Sequence, residues 1–298
     1  MGDRGNRATA ARPVALVAPV VMLVGTVLLA PACSRAPAAP QPSSLDLVRS
    51  VPAEDWQRLA SLRILFGHQS VGDNILQGVA EVARDVPAIR LKVIAASRPP
   101  GPTDACLLHF RAGRNGAPLT KVDDFVRVVD ASSAAPPDMA FLKFCYIDTD
   151  ADTDVRAVFD RYRSAVAALH TRHPRTTFVH LTMPLTTVQT GWRALVKTLI
   201  GRQVGGIAEN AKRNEFNDLL RAEYAGREPL FDLAEVESTR IDGSRVTFTS
   251  GGRTCQALAP EYTDDGGHLS LLGRRVVAGR LLVFLAATAR QVDAPPAN

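Results

Sequence analysis

A serine and an Asp-x-x-His pair, at opposite ends of the chain, have the types and spacing that nucleophilic catalysis needs. Ser70 lies in the segment 67–74, GHQSVGDN, and Asp265 and His268 lie close to the C-terminus. A carboxylate three residues before a histidine can fix the tautomer and orientation of the imidazole, which then acts as a base toward a serine hydroxyl. These residues predict acyl transfer through a serine nucleophile.

Short apolar runs and longer amphipathic stretches alternate along the chain and must position these residues. The apolar runs predict β-strands at residues 62–67, 89–95, 139–146, 177–183 and 230–233. The amphipathic stretches predict helices at residues 73–84, 154–172, 207–225 and 271–289. Strands that alternate with helices indicate a mostly parallel sheet with helices on both faces.

In such a sheet, functional residues gather at the carboxyl ends of the strands. Ser70 directly follows the first predicted strand, and His268 directly precedes the last predicted helix. Gly67 and Gly72 permit a tight turn around the serine. Backbone N–H groups at the start of a helix can also stabilise an oxyanion. We therefore expect Ser70, Asp265 and His268 to meet at one edge of the sheet.

A serine after the first strand, combined with Asp-x-x-His before the last helix, is similar to the pattern of the SGNH/GDSL hydrolase superfamily. Residues 262–274 resemble its final sequence block, and residues 67–74 resemble a variant of its first block. The resemblance implies a flavodoxin-like three-layer α/β sandwich with a central, mostly parallel five-stranded sheet. It also implies hydrolysis of esters without a cofactor or metal, with Ser70, Asp265 and His268 as the catalytic residues.

The chain departs from the superfamily pattern in its first block and in its oxyanion hole. The usual Gly-Asp-Ser-Leu is replaced by GHQS, and the usual Gly-x-Asn-Asp after the third strand is replaced by CYID at residues 145–148. The second change removes the expected asparagine donor. We expect Asn115 and Gly116 to substitute for it, through a side-chain and a backbone N–H. His68 is either a further polar group of the site or a strand-end histidine bonded to the backbone.

The N-terminus has the features of an export signal at residues 1–32. Three arginines precede an uncharged apolar stretch at residues 14–30, and small residues follow. Cys33 comes next, as in a bacterial lipobox, in which the cysteine becomes the lipidated first residue. The alternatives are a signal cleaved near Ala32 and a retained membrane span. All three place the protein outside the cytoplasm, and the first predicts membrane attachment through a lipid anchor.

Beyond the signal, the composition fits one folded domain. We expect a flexible tether at residues 33–44, an SGNH-hydrolase-like domain at residues 45–292 and a tail at residues 293–298. Apolar residues make up 46% of the chain and charged residues 22%. Because no run of basic residues occurs, nucleic-acid binding is disfavoured. Three cysteines remain besides Cys33, so at most one disulfide can form among Cys106, Cys145 and Cys255.

The sequence therefore predicts an exported serine esterase or acyl hydrolase of SGNH type, with an acylated carbohydrate of the cell envelope as the favoured substrate. An alternative is a non-catalytic ligand- or carbohydrate-binding lipoprotein on the same fold, which the altered first block supports. A third is a structural envelope lipoprotein in which Ser70 and His268 never meet. The distance from Ser70 Oγ to the His268 ring discriminates among them.

Overall fold

A computed structural model of the chain describes residues 1–2, 43–96, 104–189, 199 and 204–292. Contacts divide the chain into two compact units, Met1–Ala38 and Ala39–Asn298. Apart from residues 1–2 and 43–44, the predicted signal, Cys33, the tether and the C-terminal tail lie outside the described residues. Among the residues that are described, no helix combines the length and the apolar character needed to cross a membrane.

A parallel sheet of six strands forms the centre of the second unit. In chain order the strands are β1 (Arg63–His68), β2 (Val93–Ala95), β3 (Cys106–Arg111), β4 (Met139–Leu142), β5 (Thr177–Leu181) and β6 (Leu230–Phe231). Their spatial order is β2-β3-β1-β4-β5-β6, and all neighbouring pairs are parallel. Without the short edge strand β2, this is the flavodoxin-like order. The predicted fold class is confirmed.

The sheet has six strands, not the predicted five. The additional strand is β3, which lies beside β1. The predicted strand at 89–95 is observed only at its end, as the short edge strand β2. The strand between β2 and β1 is β3, which has buried apolar side chains although it also carries His109 and Arg111. These two polar residues interrupt the apolar run, so the sequence does not predict the strand.

Helices cover both faces of the sheet and give the expected three layers. They are α1 (Ser44–Arg49), α2 (Ala53–Ser61), α3 (Ser70–Asp85), α4 (Pro118–Ala131), α5 (Val155–Arg172), α6 (Ile207–Tyr224), α7 (Leu233–Ser238) and α8 (Leu271–Val292). One hydrophobic core joins the sheet to α1, α2, α3 and α8, and the other joins it to α4, α5 and α6. Along β1, Ile64 and Phe66 enter the first core and Leu65 enters the second, as strand alternation requires.

The three cysteines after the predicted signal are free thiols in the structure. Cys106, Cys145 and Cys255 are all buried, and none forms a disulfide. Burial raises the pKa of the Cys106 and Cys255 thiols. They therefore stay protonated and contribute to the structure as small apolar side chains.

Helices α3 and α8 approach each other closely at Gly78. A Cβ atom built on Gly78 would lie 2.2 Å from the backbone oxygen of Arg274 in α8. A side chain at this position therefore cannot be accommodated unless the two helices move apart. The approach matters for the site, because Ser70 begins α3 and His268 lies just before α8.

We predict that Gly78→Ala destabilises the protein. Alanine favours a helix by about 1 kcal/mol over glycine, but its methyl group would strike backbone that cannot rotate away. Overpacking of this kind should lower the free energy of unfolding by about 1–3 kcal/mol, measured by urea denaturation. Ala80→Ser, at an exposed position of the same helix, should change it by less than about 0.5 kcal/mol. A Gly78→Ala protein as stable as wild type would contradict the packing described here.

Candidate active site

Ser70 is the first residue of α3 and lies just beyond the carboxyl end of β1. Gln69, in an extended conformation, is the single residue between the strand and the helix. The helix therefore begins three residues before the predicted start at residue 73. Within the described part of the chain the Ser70 N–H has no acceptor. An unpaired N–H at a helix N-terminus, together with the helix dipole, favours a negative oxygen at this position.

The loop before α8 brings His268 to Ser70. Nε2 of His268 lies 3.0 Å from Oγ of Ser70, and Nδ1 lies 2.7 Å from Oδ2 of Asp265. A carboxylate can only accept hydrogen bonds, so Nδ1 of His268 carries the ring proton. Nε2 has no proton and accepts a hydrogen bond from the Ser70 hydroxyl. The structure thus joins the three predicted residues in one hydrogen-bonded chain.

Asp265 also accepts from the backbone of its own loop. Its Oδ1 accepts from the N–H groups of Gly267, at 2.9 Å, and His268, at 2.8 Å. The Gly267 N–H and the His268 side chain hold the pKa of this carboxyl far below its usual range. Asp265 therefore stays ionised and can orient the His268 imidazole. Asn74 of α3 accepts from the Leu269 N–H at 3.2 Å and ties the loop to the helix that carries Ser70.

Tyr146 is a residue of the site that the sequence motifs do not predict. Its hydroxyl lies 3.4 Å from Nδ1 and 3.5 Å from Nε2 of His268. Both nitrogens have closer partners, so the hydroxyl proton is available to another acceptor. Burial raises the pKa of Tyr146, which keeps that proton in place. Arg213 fixes the position of Tyr146. Its Nε donates to the Tyr146 carbonyl, and its guanidinium lies over the Tyr146 ring.

Two features of the sequence could have pointed to Tyr146. It follows the carboxyl end of β4, the edge of the sheet where functional residues gather. It also lies within the segment CYID, where the resemblance leads one to expect an asparagine donor.

The loop after β3 carries Asn115 and Gly116. It is hydrogen-bonded to Gln69, the residue before Ser70. Nε2 of Gln69 donates to the carbonyls of Ala112, at 2.9 Å, and Gly113, at 3.0 Å. Asn115 itself is exposed, and its Nδ2 has no acceptor in the ranges that the structure describes. The predicted side-chain donor is therefore free to meet a substrate.

Gly116 differs from the sequence-based expectation. Its N–H donates to Oδ1 of Asp148 at 3.0 Å. A backbone group that is bonded to a buried carboxylate is not available to an oxyanion. The Gly116 N–H is therefore not the donor that the sequence predicts, and Gly116 contributes instead to the shape of its loop.

His68 is a strand-end histidine bonded to the backbone, the second of its two predicted interpretations. Its side chain is fully buried, and Nδ1 donates to the Gln69 carbonyl at 2.8 Å. Nε2 lies 2.9 Å from Nδ1 of His109. Burial lowers the pKa of His68 to about 3, so the ring is neutral and its bare Nε2 accepts from His109. His68 supports the turn below Ser70 and does not face a substrate.

We predict that His68 makes the stability of the protein depend on pH. Its pKa is about 3 in the folded protein and about 6.5 in an unfolded chain, so the unfolded state binds the proton more tightly. The contribution of His68 is complete above about pH 6.5 and declines as the pH falls toward 3. The loss between pH 7 and pH 5 should be about 2 kcal/mol.

Urea denaturation at pH 5 and pH 7 tests this dependence. His68→Asn keeps an N–H near the position of Nδ1 but cannot be protonated, so the free energy of unfolding should change less with pH than in wild type. His109, whose pKa burial also lowers, contributes with the same sign. Equal pH dependence in the two proteins would show that His68 is not held neutral.

Comparisons with known proteins give likeness of fold alone. No protein-family model and no curated protein matches the chain. A Streptococcus pneumonia protein assigned provisionally as a platelet activating factor is similar with a TM-score of 0.44 and 14% identity, over 78% of this chain and 90% of that one. A Desulfitobacterium hafniense DCB-2 protein assigned provisionally to the G-D-S-L lipolytic family gives a TM-score of 0.43 and 9% identity, over 74% and 98%.

A third similar structure is a serine-to-alanine mutant of an acetyl esterase with an acetate ion. Its TM-score is 0.45 and its identity 11%, over 78% of this chain and 98% of that one. All three TM-scores lie below 0.5. The function of this chain is therefore inferred from the geometry of its own site.

Proposed function

We propose that the chain is a serine esterase of SGNH type, a carboxylic ester hydrolase. The observation that carries the proposal is the chain of hydrogen bonds from Ser70 through His268 to Asp265. The residues lie 198 and 3 positions apart in sequence, so the fold itself has assembled a nucleophile, a base and an orienting carboxylate. This is the arrangement that acyl transfer requires.

In the first half of the reaction, Oγ of Ser70 attacks the carbonyl carbon of the ester. Nε2 of His268 takes the hydroxyl proton, and the resulting imidazolium is stabilised by the ionised Asp265. The tetrahedral intermediate collapses, the bond to the alcohol oxygen breaks, and His268 returns its proton to the departing alcohol. The product of this half is an acyl group on Ser70.

In the second half, water replaces the alcohol. His268 removes a proton from the water, which attacks the acyl carbon and forms a second tetrahedral intermediate. Its collapse releases the carboxylic acid, and the proton returns to Oγ of Ser70. Every proton is carried by His268, so the mechanism needs no cofactor.

The negative oxygen of each intermediate needs hydrogen-bond donors. Among the described residues, two donors have no acceptor: the Ser70 N–H at the N-terminus of α3, and Nδ2 of Asn115 in the loop that Gln69 binds. We assign the oxyanion to these two donors. Donors that are already in place cost no reorganisation when the charge develops, and each typically contributes about 10²–10³ in rate.

The other two interpretations of the sequence differ in their support. The 3.0 Å contact between Ser70 and His268 argues against the third interpretation, a structural lipoprotein in which the two residues never meet. A ligand-binding protein on the same fold would not need an ionised aspartate that fixes the histidine tautomer. The observed contact therefore favours the esterase.

For the substrate, we propose an acylated carbohydrate of the cell envelope. The support is the predicted export signal, which would deliver the domain to a compartment rich in such esters. We also propose a lipid anchor at Cys33. The support is its position directly after small residues at the end of the apolar stretch.

We predict that Ser70→Ala and His268→Ala reduce hydrolysis of a short-chain aryl ester by similar factors, of at least about 10³ in kcat. The double variant should lose little more, because residues that act as a unit show strongly non-additive effects. Asp265→Asn should cost about 10- to 100-fold less than Ser70→Ala. Its amide would present N–H to Nδ1 of His268 and would favour the wrong tautomer.

Asp264→Asn is the matched control for Asp265→Asn. Asp264 is an exposed neighbour with the same charge, and it has no contact with His268 among the described residues. Its variant should keep the wild-type kcat. Losses that simply multiply in the Ser70→Ala/His268→Ala protein, or equal losses in the Asp264 and Asp265 variants, would argue against a triad.

We predict that Cys33→Ser releases the protein from membranes. Without the thiol no lipid can be attached, so the protein should move from the membrane fraction to the supernatant of an expressing bacterium. Ser34→Ala, next to it, should leave the distribution unchanged. Continued membrane attachment of Cys33→Ser would show that the apolar stretch is retained as a span.

A further inference from the structure

We propose that the buried ion pair between Lys121 and Asp148 positions the oxyanion hole. It does so by fixing the side-chain amide of Asn115 so that Nδ2, and not Oδ1, faces the substrate. This inference rests on the proposed esterase function. Lys121 and Asp148 touch no reacting atom, so they are positioning residues and not catalytic residues.

The orientation of the Asn115 amide follows from the chemistry of Lys121. Nζ of Lys121 lies 3.0 Å from Oδ1 of Asn115. An ammonium group has three donors and no acceptor, so it can bond only to the amide oxygen. With Oδ1 bonded to Lys121, the N–H groups of Nδ2 are the polar groups of this exposed side chain that remain for a ligand. An oxyanion requires a donor at that position, and a free amide could equally present its oxygen.

Lys121 itself is held by Asp148. Nζ lies 2.6 Å from Oδ2 of Asp148, and neither side chain is exposed to solvent. In this low-dielectric setting, a charge needs hydrogen bonds in addition to its ionic partner. Among the described residues, the acceptors of Lys121 are Asp148 and Asn115. The amide orientation is therefore part of what satisfies a buried charge.

The same carboxylate joins the two loops that border the site. Oδ1 of Asp148 accepts from the Gly116 N–H at 3.0 Å, and Oδ2 accepts from the Cys145 N–H at 2.7 Å. Gly116 follows Asn115, and Cys145 precedes Tyr146, which contacts His268. One buried carboxylate thus fixes the Asn115 loop relative to the Tyr146 segment.

A function in positioning also explains why the ion pair is present at all. A buried ion pair contributes little to stability compared with apolar side chains of similar volume. The chain offers a comparison in Lys143, a second fully buried lysine. Nζ of Lys143 donates to the Phe144 carbonyl at 2.9 Å and makes no contact with Asn115. Lys143 is therefore a matched control.

A double-mutant cycle between Lys121→Met and Asn115→Ala tests the proposal. Asn115→Ala should lower kcat for a short-chain aryl ester by about 10²- to 10³-fold, with little change in KM. Lys121→Met should also lower kcat in the wild-type background. In the Asn115→Ala background it should change kcat by less than about threefold, because the group it orients is gone. Lys143→Met should change kcat by the same factor in both backgrounds.

Asn115→Asp adds a test that leaves Lys121 in place. Aspartate keeps an oxygen for Nζ of Lys121 but replaces the outward N–H donor by an acceptor. It should lose kcat at least as strongly as Asn115→Ala while melting no lower than wild type. An Asn115→Asp protein with full kcat would overturn the proposal.

The remaining outcomes separate this proposal from the esterase function. If Lys121→Met does not fold, Lys121→Met/Asp148→Asn replaces it in the cycle, because no unpaired charge is then left buried. Equal kcat losses from Lys121→Met in both backgrounds would overturn positioning while the esterase function stands. Absence of ester hydrolysis by wild type would overturn both.

Discussion

The close packing of α3 against α8 is the constraint on which the rest of the site depends. Ser70 begins one helix, and His268 lies just before the other, so their 3.0 Å contact is set by how these two helices meet. Gly78 allows the α8 backbone to approach. The hydrogen bond from the Leu269 N–H to Asn74 then fixes the loop next to the serine. A small shift between the helices would separate His268 from Ser70.

Around this contact, charge is distributed so that Asp265 and His68 keep the protonation states that the proposed reaction needs. Asp265 is held ionised by N–H donors, and His68, directly under the turn, is held neutral by burial. The Lys121–Asp148 pair holds the adjacent loops without adding net charge. These charges are therefore in place without a ligand, which is the preorganisation that the proposed oxyanion stabilisation would use.

The sequence predicts those features that are local or that repeat a known pattern. The parallel α/β fold follows from the alternation of apolar runs and amphipathic stretches, and the meeting of Ser70 with His268 follows from their places next to β1 and α8. Features that depend on distant pairs outside such a pattern are not predictable in this way. Strand β3 is not predicted because His109 is a polar residue within it, and its hydrogen-bond partner, His68, is 41 residues away in sequence. The bonding of the Gly116 N–H is not predicted either, because its acceptor, Asp148, is 32 residues away in sequence.

The central claim is that Oγ of Ser70 is a nucleophile activated by His268. It is tested most directly by treating the folded protein with a serine-directed fluorophosphonate and locating the adduct by peptide mass spectrometry. The account predicts one adduct, on the peptide that carries Ser70, and a much slower reaction in His268→Ala. Labelling of a different residue, or no labelling of well-folded wild type, would contradict it.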